Sequence, residues 1–134
     1  MRFSLIQYLY HFIGSAYAWG KEGPYKMGFD CSGLVLEGLR SVGMWGKDDA
    51  TAQTIYNTFK VKSGEIPLGL QDTGSLVFFG KDKKSITHIG IAINKTQFIE
   101  AGGGDSKSVD KGMVRIRPFT WRKDLVAVID IFKE

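Results

Sequence analysis

Apolar residues recur at helical spacing through the first part of this chain and in short β-branched runs through the second. Leu5, Tyr8, Leu9, Phe12 and Ile13 share one side of a helix drawn through residues 3–13. Leu34, Val35, Leu39 and Val42 repeat the pattern over residues 32–42, with Gly43 as a stop. Between them, residues 20–28 hold Gly20, Gly23, Pro24 and Gly28, the composition of a loop. Residues 48–59 read as a third short helix with Asp48 and Asp49 at its start, and Gly64, Pro67 and Gly69 then mark another loop. From there β-branched and aromatic residues dominate residues 76–79, 86–93, 97–101, 113–117 and 126–132, each a strand. Asn94-Lys95-Thr96 turns the second strand into the third, and Gly102-Gly103-Gly104-Asp105 makes a loop. Helices first and strands after describe an α+β domain built on an antiparallel sheet.

Composition narrows this picture. A chain of 134 residues, 43% hydrophobic and 24% charged, has the make-up of one soluble globular domain, residues 1–134, with no repeat, low-complexity stretch or linker. The net charge of +4 would favour an anionic partner. Its basic residues are spread thinly, and the densest run, Lys81, Lys83 and Lys84 with Asp82 among them, reads as a solvated loop, so neither a nucleic acid nor a membrane is expected as a partner. No stretch is long enough to span a bilayer. The first residues could pass for a short signal peptide, with Ala16 and Ala18 near a cleavage site, but Gln7, His11 and the helical spacing of the apolar residues favour an amphipathic helix.

A single cysteine, Cys31, excludes an intramolecular disulfide, and no Cys/His cluster is present to hold zinc. A lone cysteine is more often a small buried hydrophobe than a nucleophile, so its neighbours decide. Cys31 lies in Asp30-Cys31-Ser32-Gly33, where a loop enters a helix. A thiol with a pKa of about 8.5 ionises more readily at a helix N-terminus or beside an imidazolium, and exposed amides there can hold an oxyanion. The base has to come from His11 or His88. His11 sits on the first helix, where a surface role is the simpler reading. His88 stands near the start of a strand in Thr87-His88-Ile89-Gly90-Ile91, a rigid seat for an imidazole. Glu100, on the next strand after a short turn, can face His88 across a hairpin and accept its second N–H; a solvated strand carboxylate is the plainer alternative, and Asp105 is a weaker rival. The pattern is that of a cysteine hydrolase acting on an amide bond.

Tyr17-Ala18-Trp19-Gly20, residues 29–35 (FDCSGLV), Gly74-Ser75-Leu76-Val77-Phe78-Phe79, His88-Ile89-Gly90-Ile91 and Phe98-Ile99-Glu100-Ala101 follow one another in an order that resembles the NlpC/P60 cysteine peptidases. Asp-Cys-Ser-Gly alone would be weak; the ordered set covers most of the chain from Tyr17 onward. The resemblance implies a papain-like fold, with N-terminal helices on a five- or six-stranded antiparallel sheet. It also implies hydrolysis of peptidoglycan stem peptides, typically between γ-D-glutamate and diaminopimelate or lysine. Carried over by position, Cys31 is the nucleophile, His88 the base, and Tyr17 the residue whose hydroxyl contacts the thiol region, which weighs against cleavage after Ala18. Asp30 and Ser32 flank the nucleophile in the substrate groove, and Trp19 packs beneath the motif. Two features depart from the family. Its third catalytic position is commonly histidine, where this chain has Glu100, and the loop from Gly20 to Asp30 is slightly long.

Two other readings stay open. One is an N-acetylmuramoyl-L-alanine amidase of the kind found among CHAP domains; the other is a module that keeps the fold without catalysis, in a phage tail or secreted particle. The order of Cys31 before His88 argues against the permuted relatives that act on lipids. No cofactor is expected, since neither a metal cluster nor a nucleotide-binding loop is present. With no export signal visible, arrival at the wall is expected through a phage or a secretion-system partner.

Overall fold

The computed structural model describes residues 1–15, 30–103 and 112–133. Three helices come first, α1 (Arg2–Tyr10), α2 (Cys31–Ser41) and α3 (Ala52–Lys62), followed by five strands, β1 (Leu76–Gly80), β2 (Ile86–Ala92), β3 (Gln97–Gly103), β4 (Gly112–Pro118) and β5 (Leu125–Ile129). The strands form one antiparallel sheet in the order β4-β3-β2-β1-β5. This is the expected α+β architecture.

Strand alternation divides the sheet between two cores. Leu76, Phe78, Ile89, Ile91, Ile99, Ala127 and Ile129 face the helices and pack with Leu5, Leu9, Leu34, Leu39, Ile55 and Tyr56. Val77, Phe79, Ala92, Phe98 and Val128 point the other way and form a smaller cluster closed by Ile66, Phe119 and Leu125. With both faces covered, the strands read as near-continuous apolar runs, which is why β1 is buried at every position.

Element boundaries differ from the sequence expectation where side chains compete for the backbone. The first helix stops at Tyr10, not Ile13, because the chain then turns so that Gly14 and Ser15 exchange backbone hydrogen bonds with Val114 of β4, each 2.8 Å. Ile6 takes a place in the core while Ile13 is exposed. The third helix begins only at Ala52. Thr51 caps it, its hydroxyl accepting from the Thr54 amide at 3.2 Å, and the Asp48 carbonyl ahead of it is held by Arg40 and Trp45. Strand β5 ends at Ile129, since Asp130 folds back to accept from the Phe132 amide at 3.0 Å. Finally, Gly102 and Gly103 extend β3 instead of opening a loop.

Arg2 ties the start of α1 to the end of the sheet. Its guanidinium donates to both Asp130 oxygens at 2.9 Å and to the Thr73 carbonyl at 2.9 Å, and lies over the Phe132 ring. The hydrogen bonds to Asp130 outweigh partial burial and raise the Arg2 pKa further. A two-pronged, partly buried charge pair of this kind is stronger than an exposed one. Asp130→Asn is expected to cost about 1–3 kcal/mol in urea unfolding; an unchanged midpoint would show that α1 is held by its apolar contacts alone.

Candidate active site

Helix α2 places Cys31. Asp30 is its N-cap, with an extended backbone and a side-chain oxygen that accepts from the Gly33 amide at 2.7 Å; the Asp30 carbonyl accepts from Leu34 at 3.1 Å. The helix therefore starts at Cys31, whose side chain is partly buried and packs against the main core. Ser32 is nearly buried, and its hydroxyl donates to the same Asp30 oxygen at 3.5 Å. Asp30 and Ser32 thus hold the turn on which Cys31 sits. The positive end of α2 lies at the sulfur.

Strands β2 and β3 place the other two groups. Their ladder runs through Ala92↔Phe98 and Ile91↔Ile99, close to the turn made by Asn94, whose side-chain oxygen accepts from the Thr96 and Gln97 amides. Beyond Ile91 the pairing recorded among the described residues stops, although β3 stays paired with β4 as far as Gly103. His88 and Glu100 stand where β2 and β3 part. Their side chains bridge the opening, His88 Nε2 to Glu100 Oε1 at 2.7 Å, with only 8% of His88 and 3% of Glu100 exposed. Helix α2 packs on these two strands, which sets Cys31 close enough to His88 to influence its pKa. Since Nε2 is engaged by Glu100, Nδ1 is the nitrogen left for the thiol.

Burial alone would lower the His88 pKa. The hydrogen bonds and charges of Cys31 and Glu100 outweigh it and raise the value above 6.5. The ring also packs beside Phe79, centroids 5.5 Å apart, which keeps water from one side. Such an arrangement can hold a thiolate–imidazolium pair and pass a proton from one to the other.

Sequence reasoning overlooked two residues. Gly102 was expected in a loop, yet it lies within β3, two positions from Glu100 on the same side of the strand. A Cβ at Gly102 would run into the Glu100 carboxylate, so only glycine leaves it room. Arg117, on β4, brings Nε to 3.7 Å from Glu100 Oε2. The signal for Gly102 was the spacing of two from an acidic strand residue; Arg117 depends on the β3–β4 register, which the sequence did not display. His11 is exposed and bonds only to the Tyr8 carbonyl. Tyr17, Trp19 and Asp105 lie outside the described residues. Among the described residues no cluster of three His, Cys, Asp or Glu side chains could hold a metal ion.

Known proteins share this fold. The chain is 32% identical over 117 residues to the bifunctional muramidase/DL-endopeptidase CwlT of Bacillus subtilis, covering 85% of this chain and 32% of that protein, so it spans about a third of that relative's length. The crystal structure of the NlpC/p60 domain of the peptidoglycan hydrolase SagA superposes with a TM-score of 0.75 at 21% identity, over 98% of this chain and 99% of the other. An NlpC/P60 family protein from Bacillus cereus gives 0.78 at 20% identity, over 99% of this chain and 41% of that one. These two establish a shared fold. The NlpC/P60 family matches residues 14–129, from the end of the first helical segment to the last residue of β5, and with that match this chain belongs to the NlpC/P60 family.

Proposed function

We propose that this protein is a cysteine peptidase that hydrolyses amide bonds in peptidoglycan stem peptides, at the γ-D-glutamyl linkage to diaminopimelate or lysine. The observation that carries this reading is the buried His88–Glu100 pair in contact with a thiol at a helix N-terminus. Membership of the NlpC/P60 family and the likeness to CwlT, a DL-endopeptidase by name, direct it to the wall.

In this reading the Cys31 thiolate attacks the scissile carbonyl carbon, and the oxyanion that forms is met by amides at the start of α2. The tetrahedral intermediate collapses to a thioester as the C–N bond breaks, and the His88 imidazolium gives its proton to the departing amine. Neutral His88 then takes a proton from water, whose oxygen attacks the thioester and releases the acid and the thiol. Glu100 holds the ring so that Nδ1 faces sulfur throughout, and stabilises the imidazolium. Tyr17 completes the thiol region, while Asp30 shapes its rim and meets a substrate amine.

The substrate lies outside the cytoplasmic membrane, and among the described residues no helix is long and apolar enough to cross one. Delivery by a phage or a secretion-system partner would bring the chain to the wall. A protein confined to the cytoplasm, with no phage or export genes beside its own, would sink that part.

The direct test is incubation of wild type and Cys31→Ala with purified peptidoglycan and isolated stem peptides, with products identified by mass spectrometry. A fragment ending in γ-glutamate, released by wild type alone, is expected. Release of whole stems would replace the endopeptidase with an amidase, and no product from any wall type would leave a binding module.

Glu100→Gln keeps an oxygen that can accept the imidazole N–H and should stay within about tenfold of wild-type activity, while Glu100→Leu should lose on the order of a hundredfold or more. Equal rates for the two would remove Glu100 from the mechanism. His88→Ala should slow alkylation of Cys31 by iodoacetamide near neutral pH by about tenfold, because the imidazolium that favours the thiolate is gone; an unchanged rate would break the pair. The sign of the His88 shift also fixes a pH dependence. A pKa raised in the folded state means that the imidazolium's contribution to stability is whole below about 6.5, the unfolded value, and fades as pH rises through the folded one. Urea unfolding of wild type should therefore lose stability relative to His88→Gln as pH rises above 6.5, and parallel curves would contradict the shift.

A further inference from the structure

We propose that Arg117 is a positioning residue for the site, holding the Glu100 carboxylate so that its other oxygen stays on His88. This rests on the reading of Glu100 as the group that orients the imidazole.

With Cys31 and Glu100 negative and His88 positive, the three groups carry one net negative charge, and the carboxylate that shares it is almost wholly buried. A buried charge without a counter-charge is costly. Asp124, which interacts electrostatically with His88, adds to that negative charge and is itself paired with Arg122 through two hydrogen bonds of 2.8 and 2.7 Å. Arg115 lies directly opposite Glu100 in the β3–β4 register, and Arg117 lies opposite Phe98, one step along the same side. Arg117 has an ion pair with Glu100, to Oε2, the oxygen that does not bond His88.

Three features of Arg117 fit a side chain whose charge is directed at that carboxylate. Its Nε is buried without a hydrogen-bond partner, and at 3.7 Å from Oε2 it is just beyond hydrogen-bond length, so the interaction is one of charge. The side chain is only 18% exposed, which limits screening by water. Its guanidinium stacks on the Trp121 ring at 3.8 Å, so the turn after β4 fixes where the charge stands. Glu100 is thereby held from two strands, by His88 on β2 and Arg117 on β4. Trp121 is 57% exposed and acts only through Arg117.

The test reads the His88 ring directly, with no substrate required. In wild type the His88 Nε2 proton, held by Glu100, should give a downfield, slowly exchanging NMR signal. In Arg117→Gln that signal should broaden with faster exchange, and alkylation of Cys31 by iodoacetamide near neutral pH should slow several-fold. Arg117→Lys, which keeps the charge, should restore most of both, and Trp121→Leu should fall between. Should Arg117→Gln fail to fold, Trp121→Leu carries the test, since an exposed ring can be replaced without disturbing the core. An unchanged signal and rate in Arg117→Gln, or in Trp121→Leu where the first does not fold, would overturn the role of Arg117 if Glu100→Leu alters both. If Glu100→Leu changes neither, it is the reading of Glu100 that fails, and the role of Arg117 falls with it.

Discussion

The 2.7 Å bond between His88 and Glu100 spans a place where the sheet itself has stopped pairing. Once the strands part, something else must hold them at a defined separation, and here it is a pair of side chains closed away from water. In such surroundings the bond is stronger than it would be at the surface, and leaving either partner unpaired would be expensive. The site is thus also part of what keeps this end of the sheet together. Gly102 belongs to the same constraint, because the carboxylate occupies the volume a side chain there would need.

Helix α2 serves two purposes through one geometry. Its apolar side, Leu34, Val35 and Leu39, is anchored in the main core, so its axis is set by packing. Its first residue is Cys31, so that packing also sets where the sulfur stands. Asp30 decides where the helix begins, and a shift of one residue in that cap would turn Cys31 away from His88. Capping by a carboxylate also places a negative charge near the sulfur, which partly offsets the helix dipole there. Against the lowering effect of burial, Cys31 and Glu100 raise the His88 pKa, which favours its charged form.

Superposition on structures about 20% identical, at TM-scores of 0.75 and 0.78, shows that this architecture tolerates wide change in sequence. What it requires is a helix whose first residue can reach a parted pair of strands, and an apolar pattern on both faces of the sheet. The match to about a third of CwlT indicates that a unit of this size recurs within a longer protein.

Much of this was legible in the chain alone. The switch from helical spacing to β-branched runs determined the three helices, the five strands and their order, because both periods follow from backbone geometry. Asp30-Cys31-Ser32-Gly33 placed the thiol at a helix start, and a short turn between His88 and Glu100 made their meeting across a hairpin predictable. Helix and strand ends were less legible. Residues 11–13 and Asp48 lie in stretches with good local pattern, but Val114 takes the backbone groups of Gly14 and Ser15 just beyond the first, and Arg40 and Trp45 hold the Asp48 carbonyl. Gly102 read as a loop residue because three glycines in a row usually are, and only the carboxylate packed against it explains a glycine inside a strand. Arg117 was a basic residue among many until the β3–β4 register set it beside Glu100. Local pattern depends on each residue and its near neighbours. Register, the parting of strands and the counter-charge of a buried site depend on which distant segments share space, and that is settled only when the chain is packed.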